Sequence, residues 1–199
     1  MHIPTCPSQA LEILSFAQAQ VPTNDDFDRD SWLYIPDHYA EYRYLLGTKG
    51  ANPLICIGIN PSTAAPGALD NTLKSVERIA KGNGFDSFLM FNVYAQRATR
   101  PDDMERVCNS ALHEENRKAF RYLLSLSESP AIWAAWGNII EKRDYLMDCM
   151  RDFAADGQAA NAQWFTAGPL LKSGHPHHPL YLKSTTALQP FDIDAYLCR

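Results

Sequence analysis

Long apolar runs, paired cysteines, metal-ligand spacings and any excess of positive charge are all missing from this chain. No stretch approaches the roughly 18 consecutive apolar residues that a membrane-crossing helix requires, which excludes a helical membrane protein. The opening Met1-His2-Ile3-Pro4-Thr5-Cys6 has neither the basic nor the apolar region of a secretion signal. The five cysteines, Cys6, Cys56, Cys108, Cys149 and Cys198, are scattered with no CxxC pair. They read as reduced thiols of a cytoplasmic protein rather than as a disulfide framework or a zinc site. Cys56 lies within an apolar run and is expected to be an inert core residue. The net charge of −5 argues against broad, sequence-blind affinity for a phosphate backbone, although it leaves room for a local basic patch. Internal repeats, linkers and low-complexity tracts are absent as well, so residues 1–199 read as one domain.

What is present is a chain with 46% hydrophobic residues in 199, enough to build a substantial core. Ser8 to Ala19 carries Leu11, Ile13, Leu14 and Phe16 and is expected to form one short helix, within an amino-terminal helical extension over residues 1–40. The turn-rich Pro22-Thr23-Asn24-Asp25-Asp26 follows. Glu41 to Leu46 suggests an opening strand, closed by Gly47 and Gly50. Leu54-Ile55-Cys56-Ile57-Gly58-Ile59-Asn60 is an unbroken apolar run of strand length, as expected of a strand buried on both faces. Asp70 is placed to cap a helix whose Leu73, Val76 and Ile79 recur at helical spacing and which Gly82 and Gly84 stop. The pattern continues with a strand at Phe88–Val93, a helix at about 111–125, a strand at Ala131–Trp136, a helix from Ile139 to Phe153 and a strand at Trp164–Ala167. This alternation predicts an α/β fold with a central, mostly parallel sheet and helices on its faces.

Each buried strand ends in a polar or turn-forming cluster. The first leads into Asn60-Pro61-Ser62-Thr63, the second into Asn92-Val93-Tyr94-Ala95-Gln96-Arg97, the third into Trp136-Gly137-Asn138, and the fourth into Gly174-His175-Pro176-His177-His178-Pro179-Leu180-Tyr181. Crossovers in a parallel sheet return the chain to its starting side, so all four clusters are expected at one edge. Ligands of open α/β sheets bind there. Pro61, Ser62, Asp70, Asn92, Tyr94, Arg97, Trp136 and His175 are therefore candidates for substrate binding. The bland alternatives are a tight turn at Asn60-Pro61-Ser62, a plain helix cap at Asp70, core filling by Trp136 and a solvated loop charge at Arg97. The three clustered histidines invite a metal reading. No carboxylate or cysteine ligand accompanies them at a recognised spacing, and the flanking prolines hold His177 and His178 in an extended path with opposite orientations. A hydrogen-bonding or proton-donating histidine fits better, and neither a metal nor a cofactor is expected.

The motifs Arg43-Tyr44, Gly58-Ile59-Asn60-Pro61-Ser62-Thr63-Ala64, Asp70-Asn71-Thr72, Asn92, Arg97-Ala98-Thr99, Trp136-Gly137 and Gly174 to Tyr181 resemble the bacterial domain-of-unknown-function family 1643. The resemblance covers a core of residues 41–183. More distantly, Gly58-Ile59-Asn60-Pro61, Asn92, Ala135-Trp136-Gly137-Asn138 and His178-Pro179-Leu180 are similar, in order, to motifs of the uracil-DNA glycosylase superfamily. That resemblance implies a three-layer α/β/α sandwich and hydrolysis of an N-glycosidic bond of a nucleobase, in DNA or in a nucleoside. It also implies catalytic roles for Asn60, orienting a water, and His178, donating to a developing oxyanion. Asn92 would read a base edge, and Tyr94 or Trp136 would stack on the ring. Either His175 or His178 could serve, with His178 favoured by its His-Pro-Leu-Tyr string. A base-binding module without chemistry and a metal-dependent hydrolase are the competing readings. The expected partner is a nucleobase-containing small molecule or DNA, and not a membrane.

Overall fold

The computed structural model describes residues 1–199, with every side chain except that of Tyr181. Seven strands form one sheet: β1 (Trp32–Ile35), β2 (Leu45–Thr48), β3 (Pro53–Gly58), β4 (Ser87–Asn92), β5 (Ala131–Ala134), β6 (Gln163–Ala167) and β7 (Leu188–Pro190). Their spatial order is β1-β2-β4-β3-β5-β6-β7. The four central strands β4, β3, β5 and β6 are parallel. Both flanks are closed by antiparallel strands, β2 with β1 on one side and β7 on the other. The helices are α1 (Phe16–Ala19), α2 (Asn71–Gly82), α3 (Ser110–Leu124), α4 (Tyr145–Ala159) and α5 (Ile193–Leu197). Among the described residues, no helix is long and apolar enough to cross a membrane.

The central strands are apolar throughout because both of their faces are covered, and residue parity assigns each side chain to a face. Leu54, Cys56, Phe88, Met90 and Trp133 pack under α2 with Leu73, Val76, Ile79 and Ala80. Ile55, Ile57, Leu89, Phe91, Ile132 and Ala134 point the other way, against Phe120 of α3, Phe153 of α4 and Tyr196 of α5. Each fully buried side chain of this kind stabilises the fold by about 1.5–3 kcal/mol. Asp70 caps α2 as expected, its carboxylate accepting the Leu73 N–H at 2.9 Å.

Four expectations need correction. The segment Ser8–Ala19 is two pieces, a 3-10 turn at Ser8–Ala10 and the single turn α1. Ser15 adopts an extended backbone and makes a capping box with Gln18, which starts a new helix there. Residues 1–40 are accordingly not a helical extension but also supply the edge strand β1. The opening strand begins at Leu45 and runs through Gly47, which tolerates no side chain: a Cβ there would lie 2.1 Å from the Phe88 carbonyl of β4. The helix expected from Ile139 is preceded by 3-10 turns at Gly137–Lys142, and α4 starts only at Tyr145. Arg143 breaks the two apart with extended dihedrals, its Nε donating to the Met104 and Glu105 carbonyls at 3.1 and 3.0 Å.

Candidate functional site

Residues from all four strand ends line one cavity of about 240 Å³ on the α2 face of the sheet. Gly58, Ile59, Asn60 and Ser62 follow β3, Met90 and Asn92 end β4, Ile139 follows β5, and His178 and Leu180 come from the loop after β6. Arg43, Asp70, Thr72, Leu73, Ala98, Thr99 and Pro101 complete the wall. Of the residues singled out in the sequence, Asn60, Ser62, Asp70, Asn92 and His178 therefore come together.

Asn92 is the decisive member. It lies beside Gly58 in the parallel β3–β4 ladder, so both residues face α2. A Cβ on Gly58 would meet Asn92 Oδ1 at 3.2 Å and Met90 Cε at 2.5 Å. Glycine at that register position thus keeps the cavity floor open. Asn92 is 1% exposed, and among the described residues neither its amide nitrogen nor its oxygen has a partner. A buried amide left unpaired costs roughly 1–3 kcal/mol for each unmet group. Native folds rarely retain such a group without a task for it.

His178 is held from three sides. The Leu180 N–H donates to its Nδ1 at 3.3 Å, which leaves the proton of the neutral ring on Nε2. Ser75 of α2 donates from its hydroxyl to the Pro179 carbonyl at 2.7 Å, fixing the turn that follows. Gly137, at φ +59°, allows the β5 loop to approach, since a Cβ there would lie 3.3 Å from His178 Cβ. Burial lowers the pKa of His178 below its ordinary 6.5, and the opposing attraction of Asp70 is the smaller effect. The ring is therefore a neutral donor at physiological pH.

Asn60 donates from Nδ2 to the Ala98 carbonyl at 2.5 Å, and more weakly to the Pro61 carbonyl at 3.3 Å. This pins the amide and turns its oxygen into the free function. Asp70 accepts from the Leu73 N–H and from the Ser62 hydroxyl. It is at once the cap of α2 and part of the cavity wall, so the two readings of this residue coexist.

Five candidates fall outside the cavity. Trp136 is fully buried on the opposite face of the sheet and donates to the Tyr196 hydroxyl at 2.9 Å. Tyr94 is equally buried, with its hydroxyl donating to Glu105 and accepting the Asn109 N–H. Neither ring is available to stack on a ligand. His175 is 8% exposed and has both ring nitrogens engaged, Nδ1 with the Tyr196 hydroxyl and Nε2 with Glu141, each at 2.8 Å. Arg97 is no solvated loop charge but a buried cross-brace, donating to the Ser62 carbonyl and, at 3.0 Å, to the Tyr34 hydroxyl. Pro61 is buried behind the cavity rather than lining it. The side chain of Tyr181, which ends the histidine motif, lies outside the described ones. Among the described residues, no three His, Cys, Asp or Glu side chains group as a metal site would require.

Arg43, Thr72 and Thr99 also line the cavity, beyond the candidates that the sequence singles out. Arg43 could have been noticed, since it is a lone charge within the apolar run Tyr42–Leu46. Thr99 is placed by a segment remote in sequence: its N–H donates to the His2 carbonyl at 2.9 Å, and its hydroxyl accepts the His2 N–H at 2.6 Å. The amino-terminal residues thus support the cavity rim. No curated protein and no solved structure matches the chain. Residues 43–180, which supply every cavity wall, match the family described as protein of unknown function DUF1643, and the chain belongs to that family.

Proposed function

We propose that the cavity is a nucleobase pocket and that the protein hydrolyses an N-glycosidic bond, in a nucleotide, a nucleoside or DNA. The observation that carries this reading is the Asn92 amide, buried and without a partner at the cavity floor. One donor and one acceptor side by side are what the Watson–Crick edge of a base requires. The volume of about 240 Å³ suits one small polar ligand rather than a polymer. With both faces of the parallel sheet covered by helices, the architecture is read as the three-layer α/β/α sandwich of the uracil-DNA glycosylase superfamily.

Cleavage joins a water oxygen to the sugar C1′ as the C1′–N bond breaks, and the bonding pair leaves with the base. Asn60 Oδ1 orients the water. The neutral Nε2–H of His178 donates to the carbonyl oxygen on which the departing negative charge develops, as a preorganised electrostatic stabiliser. The proton released by the water passes to Asp70, the one carboxylate that lines the cavity among the described residues. With Tyr94 and Trp136 unavailable, the ring is held between Met90, Ile139 and Leu180 instead of on an aromatic plane.

Chromatographic detection of free base, released from a panel of nucleosides, nucleotides and modified oligonucleotides, tests the proposal. Wild-type protein should release one base class, and Asn60→Ala and His178→Ala should each slow release about 100-fold, the scale of losing one oriented catalytic group. A wild-type protein that releases nothing overturns the hydrolase. The second reading, a module that binds a base and leaves it intact, is favoured by Asp70, both of whose oxygens already accept protein hydrogen bonds. Stabilisation by a ligand recovered unchanged would establish it.

A further inference from the structure

Arg43 is the second unexplained feature of the same cavity. Its side chain is 1% exposed, yet it lines the wall. Its hydrogen bond among the described residues goes to a neutral acceptor, the Ala64 carbonyl at 2.9 Å, and its buried Nε has no partner. Arg97, buried beside it, likewise donates among the described residues to neutral oxygens, of Ser62 and Tyr34, and stacks 4.5 Å above the Tyr39 ring. Burial, with repulsion from Arg97 second, lowers Arg43 to about 9, so it remains charged at neutral pH. Two buried guanidinium groups thus stand against one cavity carboxylate, Asp70, which attracts Arg43 from a distance but forms a salt bridge with neither. A buried cation without a counter-charge is strongly destabilising, and the usual remedies are an ion pair or a bound anion.

The rest of the wall fits an oxyanion. Thr72 and Thr99 contribute hydroxyls, and the first turn of the twelve-residue helix α2 borders the cavity, with its Leu73 N–H and the Ser62 hydroxyl already taken by Asp70. Helix N-termini favour phosphate groups, and the guanidinium fork matches phosphate geometry. The position also discriminates between sources of phosphate. The backbone of DNA is met by exposed Lys and Arg along a surface track, whereas this cation sits inside a small cavity of a chain whose net charge is −5. Such a site admits a terminal phosphate but not a continuous strand.

Resting on the base-pocket reading above, we propose that the natural ligand is a free nucleotide, its terminal phosphate neutralising Arg43 and its base addressed by Asn92.

Titration calorimetry on the whole chain tests this, with inorganic phosphate, nucleosides, the matching nucleoside monophosphates and a short oligonucleotide as probes. The monophosphate should bind at least tenfold tighter than its nucleoside. That advantage should vanish in Arg43→Gln and survive in part in Arg43→Lys. Because the comparison of nucleoside with monophosphate is made first on the wild-type protein, poor folding of a variant does not blunt it. Equal affinity for nucleoside and monophosphate overturns the phosphate assignment while leaving the base pocket intact. Binding of inorganic phosphate as tight as that of any nucleotide overturns the base reading and leaves an oxyanion site. An oligonucleotide that binds as tightly as the monophosphate overturns the free nucleotide in favour of DNA.

Discussion

The two polar clusters at the strand ends differ in a way that the residue types alone do not reveal. On the α3–α4 face, Trp136, Tyr196, His175 and Glu141 form a chain in which each polar side-chain atom of the first three residues meets a partner at 2.8–2.9 Å. On the α2 face, Asn92 keeps two unpaired atoms, Arg43 one, and His178 a free Nε2. Both clusters combine aromatic or amide groups at strand ends with a histidine from one loop. The first is a closed structural network and the second is an open one. Unmet hydrogen-bonding capacity, more than the presence of polar residues, separates a site from a scaffold.

Substitutions can break that contrast. The largest effect is expected from Asn92→Ala, which should weaken ligand binding about 100-fold while leaving thermal stability unchanged or raised, because it removes unpaired groups instead of a bond. Calorimetry alongside a melting curve reads both, and a fall in stability with binding retained would contradict the assignment. Tyr196→Phe is the mirror experiment. It strips partners from Trp136 and His175 and should cost roughly 1–3 kcal/mol of stability in chemical denaturation. Ligand affinity should not change, because the cavity lies on the other face of the sheet.

Gly137→Ala should affect both properties. The φ of +59° costs about 1–2 kcal/mol for a residue with a side chain, and the new methyl presses on His178. A smaller loss of base release than in His178→Ala is expected, together with a lowered melting midpoint. The subtlest expected effect is on pH dependence. Because the folded pKa of His178 lies below 6.5, the unfolded ring takes a proton before the folded one does. Stability contributed by the neutral ring is present above pH 6.5 and declines as the pH falls through the folded value. Base release should decline with it, and comparison of the acid limbs of wild type and His178→Ala would expose this contribution.

Much of the fold was legible, and the parts that were not share a cause. β3, β4 and β5 are announced by apolar runs because both of their faces are buried, and α2 by its periodic Leu73, Val76 and Ile79. The edge strands β1 and β7 and the helix α5 escaped notice. They are only 4, 3 and 5 residues long, too short for a periodicity to show. At the site, Asn60, Asn92 and His178 stood out as polar breaks in apolar surroundings. Trp136 and His175 stood out for the same reason and went elsewhere, since the parity of β5 turns residue 136 toward α5 while residue 92 of β4 faces α2.

By itself the sequence determined the alternation of strands and helices, the parallel centre of the sheet and hence the edge at which polar loops gather. Those features follow from local hydrophobic pattern and from the geometry of crossovers. Only the tertiary structure decided which polar groups at that edge are satisfied. A hydrogen bond such as that from Trp136 to Tyr196, or that from Arg43 to the neutral Ala64 carbonyl, joins residues far apart along the chain. Whether such groups find partners depends on the packing of both faces, which no local pattern encodes.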